Sequence, residues 1–243
     1  MIKKVEGIIV STVDYKESSK IINILTSDEG IIGVLARGSR RLKSKIAASS
    51  NLLTYGIFHL NSRNNGMNSL IEVDVLDNFK NIRKNLFKMN YAIYLLELSS
   101  QVCRHEANND IYSLLIEGLK KINDGYDESI ITAIIELKLL DYLGIRPIID
   151  KCVNCGNSND IVTISSYKGG YLCKDCINQE KVLNIKTIKL IRMFYYVDIS
   201  KISKIDISDN IKKEINAFID DYYDRYAGLY LKSKELLYNM MIK

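Results

Sequence analysis

Two Cys-x-x-Cys pairs, Cys152-Val153-Asn154-Cys155 and Cys173-Lys174-Asp175-Cys176, constrain this chain more than any other feature in it. The 17 residues from 156 to 172 separate them. Each pair is a knuckle that brings two sulfurs to one ion, and two knuckles complete a tetrahedron with metal–sulfur distances of about 2.3 Å. Gly156 suits the turn behind the first knuckle, where backbone N–H groups point back at thiolates. Lys151 and Lys174 stand beside the ligands, where they would offset part of the negative charge that four thiolates leave on a zinc ion. Gly169-Gly170 lets the intervening hairpin turn tightly. The spacing predicts one structural zinc per chain, held by Cys152, Cys155, Cys173 and Cys176. The rivals are a redox dithiol, which needs a single pair at a strand end, and an iron–sulfur cluster. Four protein ligands leave no open position for a catalytic water.

The remaining cysteine, Cys103, stands alone and reads as a small buried apolar residue on a helix. Cysteines concentrated at one site, rather than spread as a disulfide framework, point to a reducing, cytoplasmic setting. No apolar run approaches the ~20 residues of a membrane helix, and the two lysines near the N-terminus precede no signal-like stretch. With 47% hydrophobic and 26% charged residues, a chain of this length builds an ordinary core without disulfides.

Charge is unevenly placed. From residue 30 to 71 there is no carboxylate, yet there are six cations: Arg37, Arg40, Arg41, Lys43, Lys45 and Arg63. That window carries +6 of a net +5, so the other 201 residues sum to −1. Five of the six cations fall between 36 and 45, interleaved with Gly and Ser. A solvated surface loop is the plain reading of such a run. The acid-free window favours a phosphate-binding surface at Arg37, Arg40, Arg41, Lys43 and Lys45, with small residues giving the backbone close approach and Arg giving bidentate contacts.

Residues 5–15, 20–27, 30–37, 52–60 and 70–76 read as short, partly alternating strands. Asp28-Glu29-Gly30 forms a turn, and 61–66 a longer loop. Five strands with a basic stretch between the third and fourth fit an OB-type barrel, although periodicity alone leaves another small barrel open. At Phe79 the period becomes helical, over 80–104, 109–122 and 128–143, with Asp127 as an N-cap and Gly144 followed by Pro147 as a stop. After the cysteines, 185–197 and 209–226 resume it. The organisation expected is multi-domain α+β: an OB-fold nucleic-acid-binding domain over 1–78, then an α-helical domain over 79–243 with an inserted zinc module at about 150–178.

Catalytic signatures are missing: no Walker loop, no His-Glu-x-x-His, no Gly-x-Ser-x-Gly. His59 and His105 read as structural or solvent-facing, and Tyr222, Tyr223, Tyr226 and Tyr230 as packing. Tyr55 and Phe58 have the chemistry to stack on bases but sit where strand residues enter a core. The expectation is a nucleic-acid handler, not an enzyme.

Along nearly its whole length the chain resembles the RecO family of bacterial recombination mediators. The likeness rests on Asp14-Tyr15-Lys16-Glu17-Ser18-Ser19-Lys20-Ile21, the Ala-Arg-Gly-Ser-Arg-Arg core at 36–41, Tyr94-Leu95-Leu96-Glu97-Leu98, Glu136-Leu137-Lys138-Leu139-Leu140 and Leu143-Gly144. Cys152-Val153-Asn154-Cys155-Gly156, Gly169-Gly170-Tyr171-Leu172-Cys173 and Leu231-Lys232-Ser233-Lys234 complete it in order. The resemblance implies an OB barrel and a helical domain with a zinc knuckle. It implies binding of single- and double-stranded DNA, strand annealing, and work with RecR to load RecA on DNA coated by single-strand-binding protein, in the cytoplasm at the nucleoid. It carries the basic surface onto Arg37, Arg40, Arg41, Lys43 and Lys45, and assigns no role to Lys232 and Lys234. Read from the residues alone, an RNA-binding or ribosome-associated factor stays open, since OB barrels and zinc knuckles serve RNA equally well; so does a redox or metal-dependent enzyme.

Overall fold

The computed structural model describes residues 1–62, 66–104 and 106–241. Arg63, the sixth cation of the acid-free window, and His105 lie outside the described residues. Five strands open the chain: β1 (Ile2–Tyr15), β2 (Ser19–Thr26), β3 (Gly30–Ala36), β4 (Tyr55–Asn61) and β5 (Asn68–Asp77). They close into a barrel in the order β1-β2-β3-β5-β4, with β4 returning to β1. All neighbours are antiparallel except β3 and β5, which meet in parallel only at Val34–Asn68 and Leu35–Ser69. That order, closed by one short parallel seam, is the OB type. β1 pairs β4 through its first half and β2 through its second, and an irregularity between Ile9 and Ser11 lets one strand serve both. Val5, Ile9, Ile22, Ile24, Val34, Phe58 and Leu60 fill the interior. The fourth strand begins at Tyr55, not 52, because Leu53 takes a left-handed φ of 65° that ends strand geometry there.

The chain forms two compact units. One spans Met1–Gly125 with Leu231–Lys243, the other Tyr126–Tyr230. The first unit extends past the change of period at Phe79, because helices that follow it pack on the first two strands and the last helix packs on one of those helices. The expected helix over 80–104 is two: α1 (Lys80–Arg83) and α2 (Leu86–Val102). Asn85 breaks them, its side chain accepting a hydrogen bond from Lys88 N–H and starting α2 afresh. α3 (Asn109–Asn123) follows. Tyr55 is half-buried, stacked on Phe79 at 6.4 Å between centroids, and donates to Glu6 Oε1 at 2.6 Å; Tyr112 of α3 donates to the same oxygen at 3.3 Å. Burial first, and then the Glu6 carboxylate, push the Tyr55 phenol up to about 12. Tyr55 therefore docks a helix on the barrel, and Phe58 is wholly buried.

The second unit is built on α4 (Glu128–Tyr142), buried along most of its length, with α5 (Ile185–Tyr196) and α6 (Asp209–Tyr226) packed against it. Asp127 caps α4 by accepting from Ile130 N–H. At its other end Gly144 has φ 71°, Ile145 N–H donates to Leu140 O and Gly144 N–H to Asp141 O, the two bonds of a Schellman stop. Between α4 and α5 lies a hairpin, β6 (Ile161–Ser165) and β7 (Gly170–Cys173). Tyr222 and Tyr223 are buried, Tyr223 donating to Glu136 O, while Tyr226 and Tyr230 are exposed. The closing helix α7 (Lys232–Met241) returns to the first unit and packs on α2. No described helix is long and apolar enough to cross a membrane.

Candidate metal centre and basic loop

The hairpin carries both knuckles to one point. Cys173 ends β7, and Cys176 N–H and Ile177 N–H donate to its carbonyl, folding the chain back after it. The first knuckle is closed by Gly156 N–H donating to Cys152 O and by Cys152 N–H donating to Asn157 O at 2.7 Å. Val153 N–H donates to Tyr171 O, tying that knuckle to β7. Gly170 admits the segment at Ile148 through an isolated parallel bridge: a Cβ there would lie 2.1 Å from Ile148 O, where Tyr171 N–H donates to Ile148 O and Ile148 N–H to Gly169 O.

All four sulfurs lie within 4.8 Å of one another, and those of Cys155 and Cys173 are 3.6 Å apart. A tetrahedron with sulfurs about 2.3 Å from its centre has edges of about 3.8 Å, so the cluster matches a four-thiolate ion in size. Cys152 and Cys173 are buried against Leu172, with Val153 and Ile161 around them. Burial opposes ionisation of Cys152, but N–H donors from Cys155, Cys173 and Asn154 together outweigh it and bring its thiol down to about 6. Cys176 is pushed up to about 12, first by hydrogen bonding with Cys155 and then by burial, and burial raises Cys173 as well. One thiolate is thus welcome and further ones are resisted, because like charges crowd a small apolar space; a central cation removes that resistance. The donor set fits a metal ion. Lys174, expected to offset ligand charge, instead pairs with Asp160 at 3.4 Å.

Arg37, Arg40, Arg41, Lys43 and Lys45 are all exposed on the loop from 37 to 54 that joins β3 to β4. The loop is tethered to the β1–β2 turn: Arg40 N–H donates to Ser18 O at 2.9 Å and Gly38 N–H to Ser19 Oγ at 3.1 Å. Successive bonds from Arg41 to Gly38, Ser44 to Arg41 and Ala47 to Ser44 coil it, and buried Ser50, Leu53 and Thr54 anchor its far end. The five cations are not equivalent. Arg40 pairs with Asp14 at 3.3 Å, whereas Arg37, Arg41, Lys43 and Lys45 make no ion pair among the described residues. Lys16 on the β1–β2 turn joins them, a cation that the loop's composition did not reveal because it belongs to another strand pair.

The other singled-out residues have structural places. His59 is nearly buried in β4, its Nε2 2.7 Å from Asp74 and its Nδ1 3.7 Å from Glu72. Cys103 is buried at the end of α2, which pushes its thiol up to about 11. At α7, Lys232 N–H and Ser233 N–H donate to the two oxygens of Glu97, and Ser233 Oγ donates to the same carboxylate. The Leu231-Lys232-Ser233-Lys234 stretch is therefore a helix start capped by Glu97, with Leu231 and Ser233 buried.

Two family models match in chain order: Recombination protein O N terminal over residues 1–79 and Recombination protein O C terminal over 83–235. The DNA repair protein RecO of Bacillus pumilus (strain SAFR-032) is 35% identical, covering 99% of this chain and 95% of its own. Those of Listeria monocytogenes serotype 4b (strain CLIP80459) and Bacillus subtilis (strain 168) are 36% and 34% identical, covering 98% and 99% of this chain and 94% and 95% of theirs. With both halves matched and full-length relatives at this identity, the chain belongs to the RecO family of DNA repair and recombination proteins.

Proposed function

We propose that this protein is a non-catalytic DNA-repair mediator. It binds single- and double-stranded DNA through Arg37, Arg40, Arg41, Lys43 and Lys45, anneals complementary strands, and with RecR helps load RecA onto DNA coated by single-strand-binding protein. One observation carries the reading: a tethered, acid-free loop displays five exposed cations on an OB-type barrel in a family of DNA repair proteins. Among the described residues four of those cations have no carboxylate partner, so a polyanion is their natural counterion. A basic surface that holds two strands lowers their mutual repulsion and raises their effective concentration, and neither effect consumes ATP.

Zinc is the metal proposed for Cys152, Cys155, Cys173 and Cys176: four thiols within 4.8 Å of one another suit its four-coordinate site, and it brings no redox chemistry of its own. When bound it supplies a cross-link that replaces a hydrophobic core in the β6–β7 module. The protein is placed in the cytoplasm, where its thiols stay reduced.

The test is annealing of complementary oligonucleotides by the full chain, without ATP or magnesium, on naked strands and on strands coated by single-strand-binding protein, with and without RecR. Faster annealing on both substrates is expected. No acceleration on naked strands would refute the reading. Tighter binding to RNA than to DNA of the same sequence would favour an RNA-binding role instead.

A further inference from the structure

Beside the basic loop lies an open concavity of about 580 Å³, between the β1–β2 turn and the end of β3. Tyr15, Lys16, Ser18, Ser19, Arg37 and Arg41 face it. Three cations thus converge from two chain segments, and none of them makes an ion pair among the described residues. The one carboxylate of β1 close in sequence, Asp14, is occupied by Arg40. Glu17 is exposed and borders a neighbouring depression with Lys16, Ser18 and Ser19.

Lys16 has φ 51°, a left-handed conformation that residues with a side chain adopt uncommonly and that concentrates at ligand sites. Arg40 braces it: its backbone N–H donates to Ser18 O, its Nη1 to Lys16 O at 3.5 Å, and its Nη2 meets Asp14. Arg40 therefore also positions the rim of the concavity, with part of its charge offset by Asp14. Tyr15, 38% exposed, is a large aromatic left in solvent at this rim, with Lys16 Nζ 5.4 Å from its ring centroid.

We propose that this concavity is a single-nucleotide subsite that takes one unpaired nucleotide: Lys16, Arg37 and Arg41 hold its phosphodiester and the Tyr15 ring stacks on its base. The proposal rests on the DNA-binding reading and adds a preference to it. Phosphates are equally available in single and double strands, so the loop cations alone do not distinguish them. A base face is available only when the base is unstacked from its neighbours, so the ring confers selectivity for single strands without reading sequence.

The experiment uses the full chain, a fluorescent oligothymidylate and a mixed-sequence duplex, with affinity read by anisotropy. Tyr15→Leu should weaken oligothymidylate binding about ten-fold. It should change duplex binding by less than about two-fold, since that contact is to phosphates. Tyr15→Phe should match the parent on both, which separates the ring from the hydroxyl. Lys16→Gln should weaken both polymers and flatten the salt dependence by about 0.7 on single strands and about 0.9 on duplex. In parallel, an oligonucleotide carrying 5-iodouracil, irradiated on the unaltered chain, should cross-link at Tyr15, a readout that needs no variant. Equal loss on both polymers, no loss on either, or cross-links that avoid Tyr15 would overturn the subsite. If the parent chain bound neither polymer, the DNA-binding reading itself would fall and the subsite with it.

Discussion

Gly170 is where one methyl group should do the most local damage. Its Cβ would stand 2.1 Å from Ile148 O, 2.8 Å from Ile148 C and 2.9 Å from Ile148 N, all backbone atoms that no rotamer change can move aside. Gly170→Ala must push Ile148 O from 2.1 Å out to the 3.4 Å of ordinary contact, enough to break two 2.8–2.9 Å hydrogen bonds, Tyr171 N–H to Ile148 O and Ile148 N–H to Gly169 O. At about 1 kcal/mol net for each bond, with a similar amount for residual strain, the module should lose roughly 2–4 kcal/mol. Tyr171 also receives Val153 N–H, so the first knuckle moves with it. Hydrogen exchange gives a local assay: the Tyr171 and Val153 amides should exchange roughly thirty- to a thousand-fold faster, the same free energy expressed as a ratio. Gly169→Ala is the control. Gly169 has φ 79° and nothing within 4 Å of its Cβ, so only the left-handed penalty of about 1–2 kcal/mol applies. If the two variants had equal protection at Tyr171 and Val153, the close approach of the 148 segment would not be what holds this hairpin.

Three further outcomes are expected. Purified protein should hold about one zinc per chain, and Cys152→Ser or Cys176→Ser should lower metal content, solubility and melting temperature together; metal-free protein of unchanged stability with four titratable thiols would contradict this. On single strands, Arg37→Ala with Arg41→Ala should flatten the slope of log affinity against log salt by about 1.4, two counterions' worth, and an unchanged slope would put the phosphate contacts elsewhere. Glu97→Ala removes the carboxylate that receives Lys232 N–H and Ser233 N–H, so it should weaken docking of α7 by about 1–2 kcal/mol; faster clipping within the last dozen residues in limited proteolysis would report it, and unchanged clipping would argue against the cap.

The sequence by itself determined the four-cysteine cluster, the five strands and most helices, since each is encoded by near neighbours. Two knuckles dictate which sulfurs meet whatever lies between them, and Asp127 and Gly144 mark the ends of α4 through bonds to residues within five positions. The basic loop was equally plain, because charge needs no partner to be counted. Tertiary structure alone decided what those cations are worth. Asp14 is 26 residues before Arg40, and only the tether of the loop to the β1–β2 turn makes them a pair and brings Lys16 beside Arg37 and Arg41. It also turned Lys174 toward Asp160 and set the compact units at 125 and 231. The chain's return through α7 to α2 and its Glu97 cap joins residues more than 130 positions apart. Such pairings depend on the packing of whole elements, and a local pattern holds no record of a partner so distant.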